Sequence, residues 1–302
     1  MKRLAIILLS VILVVCTFIL TNLLHHRGFI FSNTAEAISV SAGLDNMGDN
    51  NPFNILLTER LNQIEEERIK ILLAEKRAVL EAQRLREERE RLERERIEEL
   101  EKDPNTRFAY LTFDDGPSPN NTPAILDILK EYDIRATFFL IGSMAEKYPE
   151  IVKRIYDEGH VIGNHTYSHD YGYIYKNNTN FLKDVEKADR VFKQILGEDF
   201  ETRLFRFPGG SFGKHKAPMR KAIVDAGYTF YDWNALNGDA EGIKLSNSYL
   251  IRRLKETTRN KKNAIILMHD PSSKVGTVET LRENIEYLIA QGFHFRVLEE
   301  KH

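Results

Sequence analysis

The pattern of apolar and polar residues divides the chain into three unlike regions. Residues 4–24 are almost wholly apolar and follow Lys2 and Arg3, as in a transmembrane helix whose N-terminus stays in the cytoplasm. We therefore expect a membrane anchor over residues 1–27, with the rest of the chain outside the cell. Serine, asparagine, glycine and aspartate without clear periodicity predict a flexible linker over 28–52.

Two alternatives remain open for the apolar segment. Ala35-Glu36-Ala37 has the small-x-small pattern of a cleavage site, so the segment could be a signal peptide and the protein secreted after cleavage. Cys16 could be a lipoprotein cysteine, although Val15 is larger than the residue usual before such a cysteine. All three interpretations place the rest of the chain outside the cytoplasm.

Residues 53–103 are predicted to form one long charged helix. The segment contains no glycine or proline, consists mainly of strong helix formers, and is followed by Pro104. Apolar residues recur every seven positions from Leu57 to Leu92. A coiled coil needs a second apolar position in each seven-residue repeat, and here that position is mostly charged, as at Arg68. The helix is therefore either a solvated spacer or one strand of a coiled coil that makes a homodimer.

Residues 104–302 alternate short apolar runs with amphipathic stretches of helical periodicity. This alternation is typical of an α/β domain with a parallel sheet or barrel. In such folds the functional residues lie at the C-terminal ends of the strands. The predicted strands cover 108–113, 136–141, 160–163, 204–207, 229–233, 264–268 and 293–298.

Composition narrows the chemistry that this domain can perform. The formal net charge of -2 gives no global field that would favour a nucleic-acid partner. The single cysteine, Cys16, excludes a disulfide within the chain, a cysteine-rich zinc module and a cysteine-bound cluster. Any metal ion must therefore be bound by histidine and carboxylate side chains.

Two polar segments that follow predicted strands contain candidate metal ligands. Asp114 and Asp115 precede a Gly-Pro turn, and adjacent side chains of a strand point in different directions, so one could bind a metal while the other acts as a base. His165 and His169 would share a face of a helical turn and could bind one metal ion. Taken singly, the pairs are equally compatible with an Asp-Gly turn and two surface histidines.

Three further segments add polar groups at the same end of the sheet. Arg206 could orient a carboxylate, and Gly209 lets a backbone N–H approach a ligand closely. Trp233, the only tryptophan, could line a sugar site or belong to the core. His269 ends a wholly apolar strand. Each of these residues alone also fits a turn, the core or a strand end.

Together and in this order, the five segments resemble the polysaccharide deacetylase family, also called carbohydrate esterase family 4 or the NodB homology domain. The Thr-Phe-Asp-Asp-Gly segment at 112–116 and the His-Thr-Tyr-Ser-His segment at 165–169 carry most of the resemblance, which covers about residues 105–300. It implies an irregular (β/α) barrel of about seven strands that removes acetyl groups from a polysaccharide.

The resemblance also implies a role for each candidate residue. Asp115, His165 and His169 match the metal ligands, Asp114 the general base and His269 the general acid. These ligands favour zinc, with cobalt or another transition metal as the alternative. Arg206 matches the residue that positions the base, Asp239 the residue that pairs with the acid, and Leu267 the apolar residue under the acetyl methyl group. With Leu267, the candidate substrate contacts are Gly209, Pro208 and Trp233.

An exported and tethered domain of this family favours N-acetylglucosamine of peptidoglycan as the substrate. Two departures from the family pattern bear on the sugar site. Phe207-Pro208-Gly209 stands where Pro-Pro-aromatic is common, and Ala240 stands where tryptophan is common. Poly-N-acetylglucosamine, chitin oligomers, N-acetylmuramic acid and acetyl-xylan therefore remain alternative substrates. A membrane-tethered scaffold that binds glycan without catalysis is the alternative from another functional class.

Overall fold

A computed structural model describes residues 52–300. The predicted anchor over 1–27 lies outside the described residues, as do Cys16, residues 35–37 and all of the predicted linker except Pro52. Between residues 52 and 300, no helix combines the length and the apolar character needed to cross a membrane.

The long charged helix is α1, Pro52–Glu101, close to the bounds that its composition predicts. The chain divides into two compact units after Arg84, and the described part of the first unit is α1 up to that residue. In the second unit, Ile97 on the last turns of α1 is buried, with 6% of its surface exposed. The guanidinium of Arg86 lies 3.9 Å from the centre of the Tyr156 ring.

Parallel strands form the centre of the second unit. Seven of them follow one path in the order β5-β4-β3-β2-β1-β7-β6, and β8 pairs with the first residues of β1. Within the described residues the path ends at β5 and β6 without pairing them, so the sheet is a curled, open barrel. The strands are β1 Arg107–Asp114, β2 Thr137–Leu140, β3 Val161–Asn164, β4 Leu204–Phe205, β5 Thr229–Phe230, β6 Ala235–Leu236, β7 Asn263–His269 and β8 Phe293–Phe295.

Helices connect successive strands and cover the sheet with their apolar faces. On α2, for example, Ile125, Leu126 and Leu129 are fully buried. This burial of one helical stripe against the sheet explains the 3.6-residue periodicity of the sequence. The helices are α2 Asn121–Glu131, α3 Gly142–Lys147, α4 Pro149–Asp157, α5 Tyr171–Ile174, α6 Asn178–Leu196, α7 Ala217–Asp225, α8 Asn247–Thr258 and α9 Val275–Ala290.

The register of the two central strands positions the functional residues. β1 pairs with β7 from Phe108↔Asn263 to Asp114↔His269, so an acidic and a basic side chain end neighbouring strands side by side. On the other side, Asp114 pairs with Phe139 of β2. The C-terminal ends of the strands therefore meet at one edge, as expected for a parallel α/β fold.

The prediction of about seven strands is correct for the main path, but β6 was not predicted. β6 has only two residues, too few for an alternating or apolar pattern to be recognised. The strands predicted at 204–207, 229–233 and 293–298 end earlier than expected, because β4, β5 and β8 have only two or three residues.

Candidate active site

Asp115, His165 and His169 converge at the C-terminal edge of the sheet. One carboxylate oxygen and two imidazole nitrogens lie within 4.8 Å of one another. Oδ1 of Asp115 is 3.4 Å from Nε2 of His165 and 3.2 Å from Nε2 of His169. Nδ1 of His165 donates to the carbonyl oxygen of Arg206 at 2.7 Å, so in the neutral imidazole Nε2 carries the lone pair that can bind a metal ion. Two imidazoles and one carboxylate are a donor set that fits a catalytic divalent metal.

The prediction that both histidines lie on a helical turn is wrong, because residues 165–169 form an irregular loop. His169 and Thr166 have positive φ angles of 54° and 68°, which a helical turn does not allow. Side chains hold this loop: Asn164 accepts the Thr166 N–H at 2.8 Å, and Asp184 accepts two further backbone N–H groups. Asp115 also has a positive φ, 73°. Such backbone strain is typical of functional sites.

Asp114 is buried beside the metal ligands and bound by Arg206. The guanidinium, 0% exposed, donates to Oδ1 of Asp114 at 2.9 Å and to the hydroxyl of Thr112 at 2.7 Å. Its Nε donates to the carbonyl of Tyr231 at 2.9 Å. Oδ2 of Asp114 lies 4.0 Å from Nε2 of His165. Arg206 therefore fixes one carboxylate oxygen and leaves the other facing the cluster.

His269, which is partly buried, and the buried Asp239 form a second pair at this edge. Nδ1 of His269 lies 2.7 Å from Oδ1 of Asp239, and Oδ2 accepts the backbone N–H of His269 and the hydroxyl of Thr277, each at 2.7 Å. Burial alone would lower the pKa of His269. The hydrogen bond and charge of Asp239, together with the charges of Asp114 and Asp115, raise that pKa to about 9. The imidazole is therefore charged at neutral pH, with Nε2–H available as a donor.

Two further carboxyl groups are perturbed by this environment. Burial raises the pKa of Asp115, but hydrogen bonds from His165 and His169 and the charges of His165 and His269 outweigh it and hold that pKa well below its ordinary value. Burial raises the pKa of Asp270 to about 7, and the Thr122 hydroxyl donates to it. The sequence analysis did not select Asp270, although it directly follows His269.

The four predicted substrate contacts occupy different environments. Pro208 is buried, and its carbonyl accepts the Tyr175 hydroxyl at 2.7 Å, whereas Gly209 is exposed with a φ of 68°. Trp233 is half-buried. Leu267 is buried in β7, two residues before His269.

Comparisons with known proteins assign this arrangement to a family. The model of the polysaccharide deacetylase family matches residues 101–231. A peptidoglycan-N-acetylglucosamine deacetylase of Bacillus cereus is 31% identical over 206 residues, which cover 65% of this chain and 70% of that relative. The chain belongs to the polysaccharide deacetylase family.

Relatives in this family also include a chitooligosaccharide deacetylase of Azorhizobium caulinodans, 31% identical over 64% of this chain and 94% of the relative. The structure of a carbohydrate esterase family 4 esterase from Streptococcus mutans superimposes with a TM-score of 0.60 at 34% identity. That similarity covers 65% of this chain and 87% of the esterase. The curled parallel sheet is therefore the fold of this deacetylase family.

Proposed function

We propose that the protein removes acetyl groups from the N-acetylglucosamine residues of peptidoglycan. The observation that carries this proposal is the single site in which three metal-binding side chains adjoin a buried carboxylate and a charged imidazole. A retired enzyme would be expected to have lost one of these groups. A relative named as a peptidoglycan-N-acetylglucosamine deacetylase supports the choice of glycan.

Asp115, His165 and His169 are the residues that would hold the metal ion. Zinc suits these ligands best, and cobalt or another transition metal suits the same set. When bound, the metal supplies a Lewis acid that polarises the acetamide carbonyl and lowers the pKa of water.

Asp114 and His269 perform the two proton transfers. Oδ2 of Asp114 accepts a proton from the attacking water, while Arg206 holds Oδ1 in place. The carbon–oxygen bond forms, the carbon–nitrogen bond breaks, and Nε2–H of His269 protonates the leaving nitrogen. Asp239 keeps His269 charged and oriented through Nδ1. The backbone N–H of Gly209 is assigned to the developing oxyanion. Acetate and a free amine are the products.

Location and assembly form part of the same proposal. The apolar segment over 1–27 anchors the chain in the cell membrane, the linker over 28–52 follows, and the domain over 104–302 acts on the wall outside. A helix of 50 residues extends about 75 Å at 1.5 Å per residue, so α1 is long enough to act as a spacer. Pairing of α1 helices into a homodimer is the alternative use of this element.

A panel of glycans tests the substrate assignment. Acetate release would be measured on intact peptidoglycan, chitin oligomers and poly-N-acetylglucosamine, and mass spectrometry would locate the free amines. We expect the amines on the glucosamine of peptidoglycan, and no acetate release by Asp114→Asn. Acetate release from chitin oligomers alone would show that the substrate is chitin-like and not peptidoglycan. Glycan binding without release by correctly folded, metal-loaded protein would instead support the non-catalytic scaffold.

A further inference from the structure

Gly209 has an aromatic neighbour that comes from a distant part of the chain. A Cβ atom at Gly209 would lie 3.0 Å from the hydroxyl oxygen of Tyr171 and 3.5 Å from its Cζ. The hydroxyl end of the Tyr171 ring therefore lies in tight contact with the position of a Cβ atom at residue 209. Tyr171, from α5, thus places an aromatic ring beside a turn after Arg206 that has no aromatic residue at position 209.

The Tyr171 ring stands directly beside the metal ligands. Its centre lies 5.3 Å from the centre of the His169 ring, with the two planes tilted by 44°. Half of Tyr171 (51%) is exposed, so part of the ring is open to solvent at the edge of the site. A molecule that places a group between Asp114 and His269 would have this ring within reach.

A stack of contacts fixes the orientation of the Tyr171 ring. Tyr175 stacks on it at 5.8 Å with planes 21° apart, and the Tyr175 hydroxyl donates to the carbonyl of Pro208. Lys216 binds the same carbonyl at 3.0 Å and lies 4.2 Å from the centre of the Tyr175 ring. A ring that is already held in place loses little conformational entropy when a ligand binds.

We propose that Tyr171 is a specificity-determining residue that forms the aromatic wall of the sugar site. Its exposed face would stack on the apolar face of the N-acetylhexosamine ring whose acetyl group enters the metal site. The electron-rich face of an aromatic ring attracts the partial positive charge of sugar C–H groups, and the contact removes apolar surface from water. This inference rests on the proposed function and names the residue that holds the sugar.

Three variants and two substrates test the role of Tyr171. Tyr171→Ala removes the ring, Tyr171→Phe keeps it, and Tyr173→Ala is the matched control, since Tyr173 is a 42% exposed tyrosine on the same helix. The substrates are an N-acetylglucosamine tetramer and an aryl acetate ester that has no sugar ring. We expect Tyr171→Ala to raise KM for the tetramer roughly tenfold while leaving kcat/KM for the ester within about twofold. Tyr171→Phe and Tyr173→Ala should resemble the wild type.

Equal losses on both substrates would overturn the proposal, because they would show that Tyr171 supports the metal site rather than the sugar. An unchanged KM for the tetramer in Tyr171→Ala would also overturn it. Calorimetric binding of the tetramer to Asp114→Asn, with and without Tyr171→Ala, separates this inference from the proposed function. A roughly tenfold loss of affinity on adding Tyr171→Ala to Asp114→Asn would support the role of Tyr171 in sugar binding, even if the wild-type protein released no acetate. Equal affinities of Asp114→Asn with and without Tyr171→Ala would refute that role of Tyr171, even if the wild type were active.

Discussion

Asp239→Asn should shift the alkaline limit of activity to lower pH. Oδ2 of Asp239 accepts the backbone N–H of His269 and the Thr277 hydroxyl, so an asparagine would keep its amide oxygen there. Its amide nitrogen would then face Nδ1 of His269 as a donor. This removes the negative charge and favours the neutral imidazole. The substitution therefore changes the protonation of His269 with little change in its position.

The size of the shift follows from the pKa of His269. A rise from the ordinary 6.5 to about 9 corresponds to about 3 kcal/mol in favour of the imidazolium. Without the hydrogen bond and charge of Asp239, burial is opposed only by the charges of Asp114 and Asp115, and the pKa should fall toward its ordinary value of 6.5. The charged fraction at pH 8 would then drop from about 0.9 to about 0.03, so kcat should fall by about 30-fold at this pH.

The assay is kcat for acetate release between about pH 5.5 and pH 10, for wild type and Asp239→Asn, with equal metal content confirmed in both. We expect the variant to approach wild-type activity only at the acidic end. A uniform loss at every pH would mean that Asp239 acts through structure alone. An unchanged alkaline limit would show that His269 is not the acid whose pKa Asp239 controls.

The remaining predictions concern stability and the base. The raised pKa of His269, most of which comes from Asp239, should add about 3 kcal/mol to the stability of the metal-free protein below pH 6.5. This contribution is lost as pH rises through about 9, so the difference in urea unfolding between wild type and Asp239→Asn should shrink over that range. Arg206→Lys leaves the buried Asp114 with a weaker partner. We expect the free energy of unfolding in urea to fall by about 3 kcal/mol and kcat to fall at least roughly tenfold. Wild-type values in both assays would contradict the role assigned to Arg206. A chain that begins at residue 104 should be about 2 kcal/mol less stable than a chain that begins at residue 85, because the burial of Ile97 is lost. Equal midpoints of thermal unfolding for the two chains would show that the end of α1 does not stabilise the domain.

The sequence could predict those parts of the fold that depend on local patterns. The apolar run of β7 and the amphipathic stretch of α6 follow from the periodicity of residues that pack against one sheet. The resemblance predicts that Asp114, Asp115 and His269 belong to one site. Their places at the ends of predicted parallel strands agree with this, since such strand ends meet at one edge of a sheet. The structure brings them together at the expected edge.

The features that were missed depend on contacts between distant segments. The loop over 165–169 is shaped by Asn164 and by Asp184 of α6, so local spacing wrongly predicted a helical turn. Tyr171 lies against Gly209, and no local pattern relates those two positions. Anchor and linker lie outside the described residues and stay predictions.

Reconstitution with metal tests the central claim most directly. The protein would be treated with a chelator, dialysed and titrated with zinc while acetate release from peptidoglycan is measured. We expect activity to disappear with the metal and to return at about one zinc ion per chain, whereas Asp115→Ala should neither bind zinc tightly nor recover activity. Full activity after complete removal of metal, or wild-type activity in Asp115→Ala, would contradict the account of the site.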